Sequence, residues 1–377
     1  MRSLYLRWAF VALLFITFLA VLVLSQPGVG WAEGRVKSKE TYASALTCGG
    51  CHLDIYNSWK NSLHAMSVTD PIYQAAYMQA YLASQGKVKT FCTRCHAPTT
   101  MVSKDFDMVR SITREGITCD FCHTVSKVDL HRAANPFSLK PGPVKRGSSR
   151  VVVATPAHKV QYADFLKKSE FCGACHQYTN RHGIAVLDTL NEWRNGPYSR
   201  EGKPCQSCHF SNLHDIAAGR SQEQLQKTVK LQLVKVERVG DAVKVRVELT
   251  NVGAAHMVPT GMPNRRIILK LILTTAGGQV LTQELHYERV LADADGNTAL
   301  GAERIFTDAA RMVKDNRLAP RERRREEFIF NLRRNVKARV RAELHYDHRP
   351  VLLQPVTIDI PMASDEKDVP AGFFFFR

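Results

Sequence analysis

The chain has 377 residues, with 52 lysines and arginines against 35 acidic residues, and its formal net charge is +17. This length exceeds one ordinary domain and predicts two domains behind a targeting segment. Such a basic excess ordinarily suggests nucleic acid or an acidic membrane surface. We exclude nucleic acid because the N-terminal sequence indicates export.

The N-terminal segment has the layout of a secretory signal. Arg2 and Arg7 precede an apolar run over residues 8–24, and a small-residue cleavage pattern ends at Ala32. We predict a signal peptide over residues 1–32. An uncleaved membrane anchor is the alternative, because the run is at the short limit of a bilayer span. In both cases the remainder is exported, to the periplasm or the outer cell surface.

The ten cysteines all fall in one repeated pattern. Ten cysteines in an exported chain would ordinarily predict disulfides, but here every CxxC pair is followed directly by histidine. Five such coincidences by chance are on the order of one in ten million. The five motifs are Cys48/Cys51/His52, Cys92/Cys95/His96, Cys119/Cys122/His123, Cys172/Cys175/His176 and Cys205/Cys208/His209.

The CxxCH pattern is typical of covalent haem attachment. Two thiols add to the two vinyl groups of a haem, and the following histidine supplies the proximal ligand of the iron. Zinc would not require a histidine directly after each pair, and a thioredoxin-type site needs a single motif. The sequence therefore predicts five covalently attached c-type haems. Their propionates would balance part of the basic excess.

Nine further histidines are available as sixth ligands. A pure electron carrier would use five of them, whereas an open iron would bind a small molecule. Apolar spacing predicts a helix that runs from the first motif through His64, about 18 Å along the axis from His52. We therefore expect His64 to close a neighbouring haem. A surface histidine is the alternative.

Three other candidates lie near the motifs. His158 follows a linker rich in proline and glycine and precedes a helix-like segment that leads to the fourth motif. His214 comes five residues after His209, too close to fold over the same iron easily. His182 is a further candidate, although a solvated loop explains it and His131 equally well.

Residues 40–215 resemble the cytochrome c-554-type multihaem cytochromes. The resemblance rests on WKNSLHA, GITCDFCH, SEFCGACH and DTLNEWRNGPYSREGKPCQSCH. It implies c-type electron transfer and supports His64 and His158 as distal ligands. Some members of this group have an open haem and others do not.

The last part of the chain has a strand pattern. Val243, Val245, Val247 and Leu249 alternate with charged residues. One similar segment precedes them and five follow, about seven in all, with turn signals between them. We predict a multidomain chain: a mainly α, loop-rich pentahaem cytochrome domain over 33–225, followed by an all-β sandwich of immunoglobulin-like type over 226–377.

Several shorter segments of this part give their own predictions. The DADGN sequence resembles a calcium loop, but Arg304 stands where the bidentate glutamate belongs, so we predict a turn. The arginine-rich run over 317–325 is interpreted as a solvated loop, with docking to an acidic partner or lipid as the alternative. His345 is predicted to face outward into solvent, while His286 and His348 give no signal.

His256 differs from these histidines. It follows a strand, beside small residues and before Pro-Thr-Gly, and resembles the segment found where such sandwiches join multihaem domains. We predict that the sandwich donates it as a distal ligand; a structural turn histidine is the alternative.

The leading functional hypothesis is a relay of single electrons between redox partners, such as other c-type cytochromes or membrane quinol-linked reductases. The alternative is a haem oxidoreductase, in which one open haem acts on a small nitrogen or sulfur compound, with His131 or His182 as a proton donor. A third hypothesis is a conductive polymer of stacked haem domains. We expect predominantly low-spin haems.

Overall fold

The computed structural model describes residues 42–132, 135–151, 155–210, 214–217, 219–348 and 358–370. The predicted signal segment lies outside these residues. In the described ranges, no helix has both the length and the apolar character that a membrane crossing requires. The chain from Thr41 onward forms one compact unit.

Short helices carry all five motifs in the first part of the chain. They are short because each one ends at or near its motif histidine, where the backbone turns away. The described helices are α1 (Ala45–Gly49), α2 (Leu53–Trp59), α3 (Pro71–Ala83), α4 (Lys89–His96), α5 (Thr100–Ser103), α6 (Ser111–Arg114), α7 (Cys119–Thr124), α8 (Ser169–His176), α9 (Thr189–Asn195), α10 (Pro197–Arg200), α11 (Gln206–His209) and α12 (Gln222–Gln226).

The helix predicted to run from the first motif through His64 is shorter than expected. α2 ends at Trp59, and turns follow it through Thr69. Ser62 lies in these turns, where its hydroxyl accepts a hydrogen bond from the Ala65 amide at 3.3 Å. Serine competes for backbone groups in this way and favours turns over helix interiors.

Three small strand pairs connect the motif helices. The predicted linker between the third and fourth motifs contains two strands rather than irregular chain. One of them, β3, pairs in parallel with the strand that begins directly after His158. The strands are β1 (Val125–Val128), β2 (Phe137–Leu139), β3 (Val144–Gly147), β4 (Lys159–Tyr162), β5 (Gln177–Thr179) and β6 (Ala185–Asp188).

Two antiparallel sheets form the second part. The larger has the order β11-β10-β9-β13-β14 and the smaller the order β12-β8-β7. Their strands are β7 (Val229–Val239), β8 (Ala242–Asn251), β9 (Arg265–Thr275), β10 (Val280–Ala292), β11 (Arg311–Asp315), β12 (Arg323–Asn331), β13 (Ala338–His348) and β14 (Ile358–Asp368).

The two sheets share one hydrophobic core. On β8, the predicted inward face is confirmed, because Val243, Val245, Val247 and Leu249 are all fully buried. The inward side chains of β9 belong to the same cluster. Each fully buried branched side chain contributes about 1.5–3 kcal/mol, so this core stabilises the second part by itself. The described motif region has only small apolar clusters by comparison.

Two elements of the second part were absent from the sequence prediction: strand β11 and a helix, α13 (Ala302–Thr307). The turn predicted at DADGN is confirmed. The Asp293 carboxylate accepts a hydrogen bond from the Asn297 amide at 2.8 Å, and Gly296 adopts a positive φ. Arg304 binds the same carboxylate at 2.7 Å, so a guanidinium lies where a calcium ion would be needed.

The arginine-rich run is only in part the solvated loop that was predicted. Arg317 is buried, with 5% of its side chain exposed. Arg323 and Arg325 lie on strand β12 rather than in a loop, and their side chains are 64% and 60% exposed while both bind the Glu248 carboxylate. A pattern of like charges along the sequence does not reveal this pairing.

Candidate haem sites

Three motif histidines have a fixed ring orientation. Each directs Nδ1 at a backbone carbonyl, which requires the proton to be on Nδ1 and leaves the Nε2 lone pair available for a metal. The contacts are His96 with Ser67 O at 3.1 Å, His123 with Arg146 O at 2.6 Å, and His209 with Ala217 O at 2.8 Å.

Four motif histidines each face a second histidine from a distant part of the chain. All four second histidines were predicted as distal candidates from the sequence. The ring centroids are 6.3 Å apart in His52–His158 and in His64–His176, and 6.1 Å apart in His123–His214 and in His209–His256.

This spacing fits a metal ion between the two rings. An imidazole nitrogen binds a transition metal at about 2 Å, and the ring centre lies about 1 Å beyond the nitrogen. Two imidazoles on opposite sides of one iron therefore have centroids about 6 Å apart. In the described residues, no three His, Cys, Asp or Glu side chains form a metal cluster, as suits a porphyrin that supplies the remaining donors.

Burial keeps several of these imidazoles neutral, which is the form that binds metal. It lowers the pKa of His64 to about 4 and that of His176 to about 3, with a neighbouring histidine adding to each effect. His176 is exposed to solvent, although protein atoms surround it at longer range. Burial also lowers the pKa of His256.

His96 has a different environment. All fourteen histidines lie in the described ranges, and none of the others forms a ring pair with His96. Instead the Tyr73 ring stacks on the face of His96, with centroids 4.2 Å apart and planes 26° apart. The Tyr73 hydroxyl is buried without a hydrogen-bond partner in the described chain, and burial raises its pKa.

His182 is not brought to any motif histidine. Its ring is exposed, and its Nε2 accepts a hydrogen bond from the Arg181 guanidinium at 3.1 Å. The Asn180 side chain binds the His182 amide, which holds the residue in a surface turn. The expectation that His182 closes the fifth iron therefore has no support in the structure. His131 is likewise exposed.

The remaining histidines belong to the sheets. His345 lies on the outward face, as predicted, but it is paired there with the Asp359 carboxylate at 2.6 Å rather than freely solvated. His286 contacts Glu284 at 3.5 Å. His348 is buried, and burial beside Arg265 lowers its pKa to about 3.

Thiols of different motifs lie in contact, so the motifs are packed together. Hydrogen bonding between two thiols lowers the pKa of one and raises that of the other. This contact joins Cys48 with Cys119, Cys95 with Cys175, and Cys205 with Cys172. The third and fourth motifs also share an apolar cluster that includes Cys122 and Cys175. All ten cysteines are free of disulfides.

Two motif thiols are not enclosed by the fold. Cys51 of the first motif and Cys208 of the fifth are exposed, whereas the other eight cysteines are half-buried. His52, which directly follows Cys51, is exposed as well. The assignment of Cys51 to haem attachment rests on the CxxCH pattern alone, and it implies a haem with one edge at the molecular surface.

Several buried polar atoms have no partner in the described part of the chain, and one of them, the donor Arg265 Nε, fits a haem propionate. His158 Nδ1, Asn264 Oδ1 and Arg265 Nε are buried and have no hydrogen-bond partner in the described part of the chain. Arg265 lies close enough to His176 to lower its pKa. A guanidinium is the side chain best suited to a carboxylate, so we assign Arg265 as a candidate propionate ligand.

Two residues near His256 were missed at the sequence level. Glu192 on α9 and Arg317 form an ion pair at 2.7 Å, and both side chains are 5% exposed. Their contacts join the motif region to the loop that carries His256. No sequence signal indicated this pairing, because Arg317 belongs to the arginine-rich run that was interpreted as a solvated loop, and charged residues are usually solvated.

Comparison with known proteins supports a multihaem c-type cytochrome fold. The family model described as cytochrome c554 and c-prime matches residues 47–124. The crystal structure of a penta-heme cytochrome c552 from Thermochromatium tepidum aligns with a TM-score of 0.72 at 24% identity, over 88% of this chain and 100% of that chain. The chain has the fold of a multihaem c-type cytochrome.

Other comparisons add no further relationship. No curated protein matches the chain significantly. A Bacteroides uniformis β-glucuronidase 2 structure covers 37% of this chain and 12% of its own, at 11% identity and a TM-score of 0.18, which is too low to indicate a shared fold.

Proposed function

We propose that this cytochrome holds five haems and relays single electrons through four that are closed by histidine on both sides, while the fifth, at His96, keeps an exchangeable position. The four imidazole pairs at 6.1–6.3 Å carry this proposal. Two histidine ligands close an iron to small molecules, which suits electron transfer rather than substrate binding.

The contacts between motifs support the relay. Thiol contacts place the first motif beside the third, and the fourth beside both the second and the fifth. The apolar cluster around Cys122 and Cys175 connects the third and fourth motifs. Electrons entering at any motif can therefore reach the others through adjacent cofactors, and the fourth motif is the branching point.

A second candidate function follows from His96. An iron with one histidine ligand can bind a small nitrogen or sulfur compound and exchange electrons with it through the other four haems, which would make the protein an oxidoreductase. The observation that favours this function is the absence of a facing histidine for His96 among all fourteen, each of which the structure describes. The exposed His131 and His182 remain candidates for proton supply.

The location and partners remain part of the proposal. The N-terminal sequence supports export to the periplasm or outer cell surface, with or without a retained anchor. The protein would receive its electrons from other c-type cytochromes or from quinol-linked reductases. We also propose that the two sheets are an immunoglobulin-like sandwich, in view of their antiparallel order and common core.

Magnetic spectra of the ferric holoprotein test this function. We expect four low-spin signals and one high-spin signal, and cyanide should convert the high-spin signal at one equivalent per chain. The His182→Ala variant should show the same spectra and the same cyanide stoichiometry, because this ring is exposed. Five low-spin signals and no cyanide binding would leave a pure relay. Two or more high-spin signals would contradict the four histidine pairs.

A further inference from the structure

Glu192 provides a buried carboxylate at the junction between the motif region and the sheets. It lies on α9, and its side chain is 5% exposed. One carboxylate oxygen accepts a hydrogen bond from Arg317 at 2.7 Å. The other accepts from the Thr260 hydroxyl at 2.6 Å and from the Met257 backbone amide at 3.3 Å. Two of these three donors belong to the loop that carries His256.

The ion pair of Glu192 and Arg317 is supported by further hydrogen bonds from Arg317. Burial opposes the charge of Arg317, but hydrogen bonds to Asp315 and the charge of Glu192 outweigh it, so the pKa of Arg317 is raised. Two nitrogens of the Arg317 guanidinium, Nε and Nη2, each donate a hydrogen bond to a separate oxygen of the Asp315 carboxylate at 2.8 Å. A buried ion pair is retained only when its members have such additional hydrogen bonds, because desolvation is costly.

The backbone of Met257 connects Glu192 to the imidazole. The peptide between His256 and Met257 is held at both ends, because its N–H donates to Glu192 at 3.3 Å and its carbonyl accepts from the Asn251 side chain at 3.3 Å. The next carbonyl along the chain, that of Met257, faces the His256 Nδ1 at 2.8 Å. The ring orientation of His256 therefore depends on a backbone segment that Glu192 holds at its start.

The rest of the loop is attached to the same network. Arg317 donates to the Pro259 carbonyl at 3.1 Å, and Val258 exchanges backbone hydrogen bonds with Leu318. The Thr189 hydroxyl contacts that of Thr260 at 2.8 Å. Contacts from α9 and from the strand region thus meet on one short segment.

We propose that Glu192 is a positioning residue for the distal ligand His256. It fixes the backbone at Met257, whose carbonyl contacts the imidazole, and thereby aligns the ring opposite His209. The ring planes of this pair are 12° apart, the smallest angle of the four pairs. This inference rests on the proposed function, in which His256 closes an iron. Partners in the outer shell orient metal ligands in this way, and their loss weakens ligation.

Two substitutions of Glu192 separate its charge from its hydrogen bonds. Glu192→Gln keeps one acceptor oxygen and removes the charge, whereas Glu192→Ala removes both. We expect Glu192→Ala to alter the magnetic spectrum and midpoint potential of one haem, about a quarter of the low-spin intensity. Glu192→Gln should alter the same haem less, and it serves as the test if the alanine variant does not fold.

Glu201→Gln is the matched control. Glu201 also joins the motif region to the sheets, through Arg321 at 2.5 Å, but this ion pair is largely exposed and does not touch the His256 loop. We expect its spectra and potentials to equal those of the parent protein. If Glu192→Ala and Glu192→Gln lower only the melting temperature and leave every haem signal unchanged, Glu192 is structural and the inference is wrong.

A His256→Ala variant distinguishes failure of the positioning role of Glu192 from failure of the assignment of His256 as a ligand. A new high-spin signal in His256→Ala, together with unchanged spectra in both Glu192 variants, would refute positioning while the ligand assignment stands. Unchanged spectra in His256→Ala would refute the assignment of His256 itself.

Discussion

The substitution His256→Ala should open one iron without dismantling the protein. His256 is the single histidine that the sheet part provides to a motif pair in the described chain, and it faces His209 at 6.1 Å between centroids. Alanine leaves no ligand atom at this position. The parent protein is expected to hold one high-spin and four low-spin haems, so the variant should hold two and three, respectively. The high-spin signal should double and the low-spin signal should fall by about a quarter.

The effect on stability should be small by comparison. The junction retains the buried Glu192–Arg317 pair, and Arg289 still donates to the carbonyls of Ala185 and Gly261. A loss of about 1 kcal/mol shifts the melting temperature by about 2–4 °C in a chain part of this size, and we expect a shift of this order. A much larger shift would mean that the coordination bond is the main tie between the two parts.

Electron paramagnetic resonance, combined with cyanide titration, measures the outcome. His256→Ala should bind two equivalents of cyanide instead of one. His256→Met should keep the iron six-coordinate and raise one midpoint potential, because a thioether ligand favours the ferrous state. His345→Ala is the control, since this ring lies on the sheet surface beside Asp359. Identical spectra for His256→Ala and His345→Ala would refute the assignment of His256 as a ligand.

Two further predictions concern stability. Leu271 is fully buried on the central strand β9, so Leu271→Ala should lower the free energy of unfolding by about 2–5 kcal/mol in denaturant titrations. Leu300 is 55% exposed, and Leu300→Ala should change the free energy of unfolding by less than about 0.5 kcal/mol. Equal effects of the two substitutions would contradict the assignment of Leu271 to the core. Burial acts to raise the pKa of Asp70, but the hydrogen bonds and charge of Arg220 outweigh burial and lower this pKa below 3.8. The ion pair therefore stabilises the folded state above pH 3.8, and this stabilisation is lost as the pH falls through the folded pKa. Asp70→Asn should therefore cost about 2 kcal/mol near pH 7. In unfolding measurements the difference should shrink as the pH falls below 3.8 and be lost below the folded pKa, and a difference that does not change with pH would contradict the charge assignment.

Local patterns in the sequence predicted much of the fold. The alternation in β8 predicted its buried face, because a strand with one covered side has period two. The DADGN turn was predicted from its residue types in the same way. Strand β11 was missed because its apolar residues Met312 and Val313 are exposed, so burial does not impose a pattern on them. The helix after the first motif was overextended because spacing alone did not register the turn at Ser62.

The histidine pairs show where sequence reasoning ends. Spacing predicted His64, His158, His214 and His256 as candidates but could not assign partners, since each pair joins residues far apart in the chain. His182 was selected because a fifth ligand was needed, not because of a local signal. Glu192 was not selected at all, because its environment is formed by Arg317 and the His256 loop, which are distant in sequence.

The long sequence separation within each histidine pair has a consequence for maturation. Haem attachment needs only the local CxxCH segment, whereas the opposing imidazoles of His52 and His123 lie roughly a hundred residues away and arrive only with the tertiary fold. In the proposed function, a freshly loaded chain would therefore carry irons whose sixth positions stay open until it folds. His256 would be the last of these ligands to arrive along the chain, because its loop is bridged to Leu318, which follows every motif. Folding of the second part would then complete the ligation of a newly made molecule.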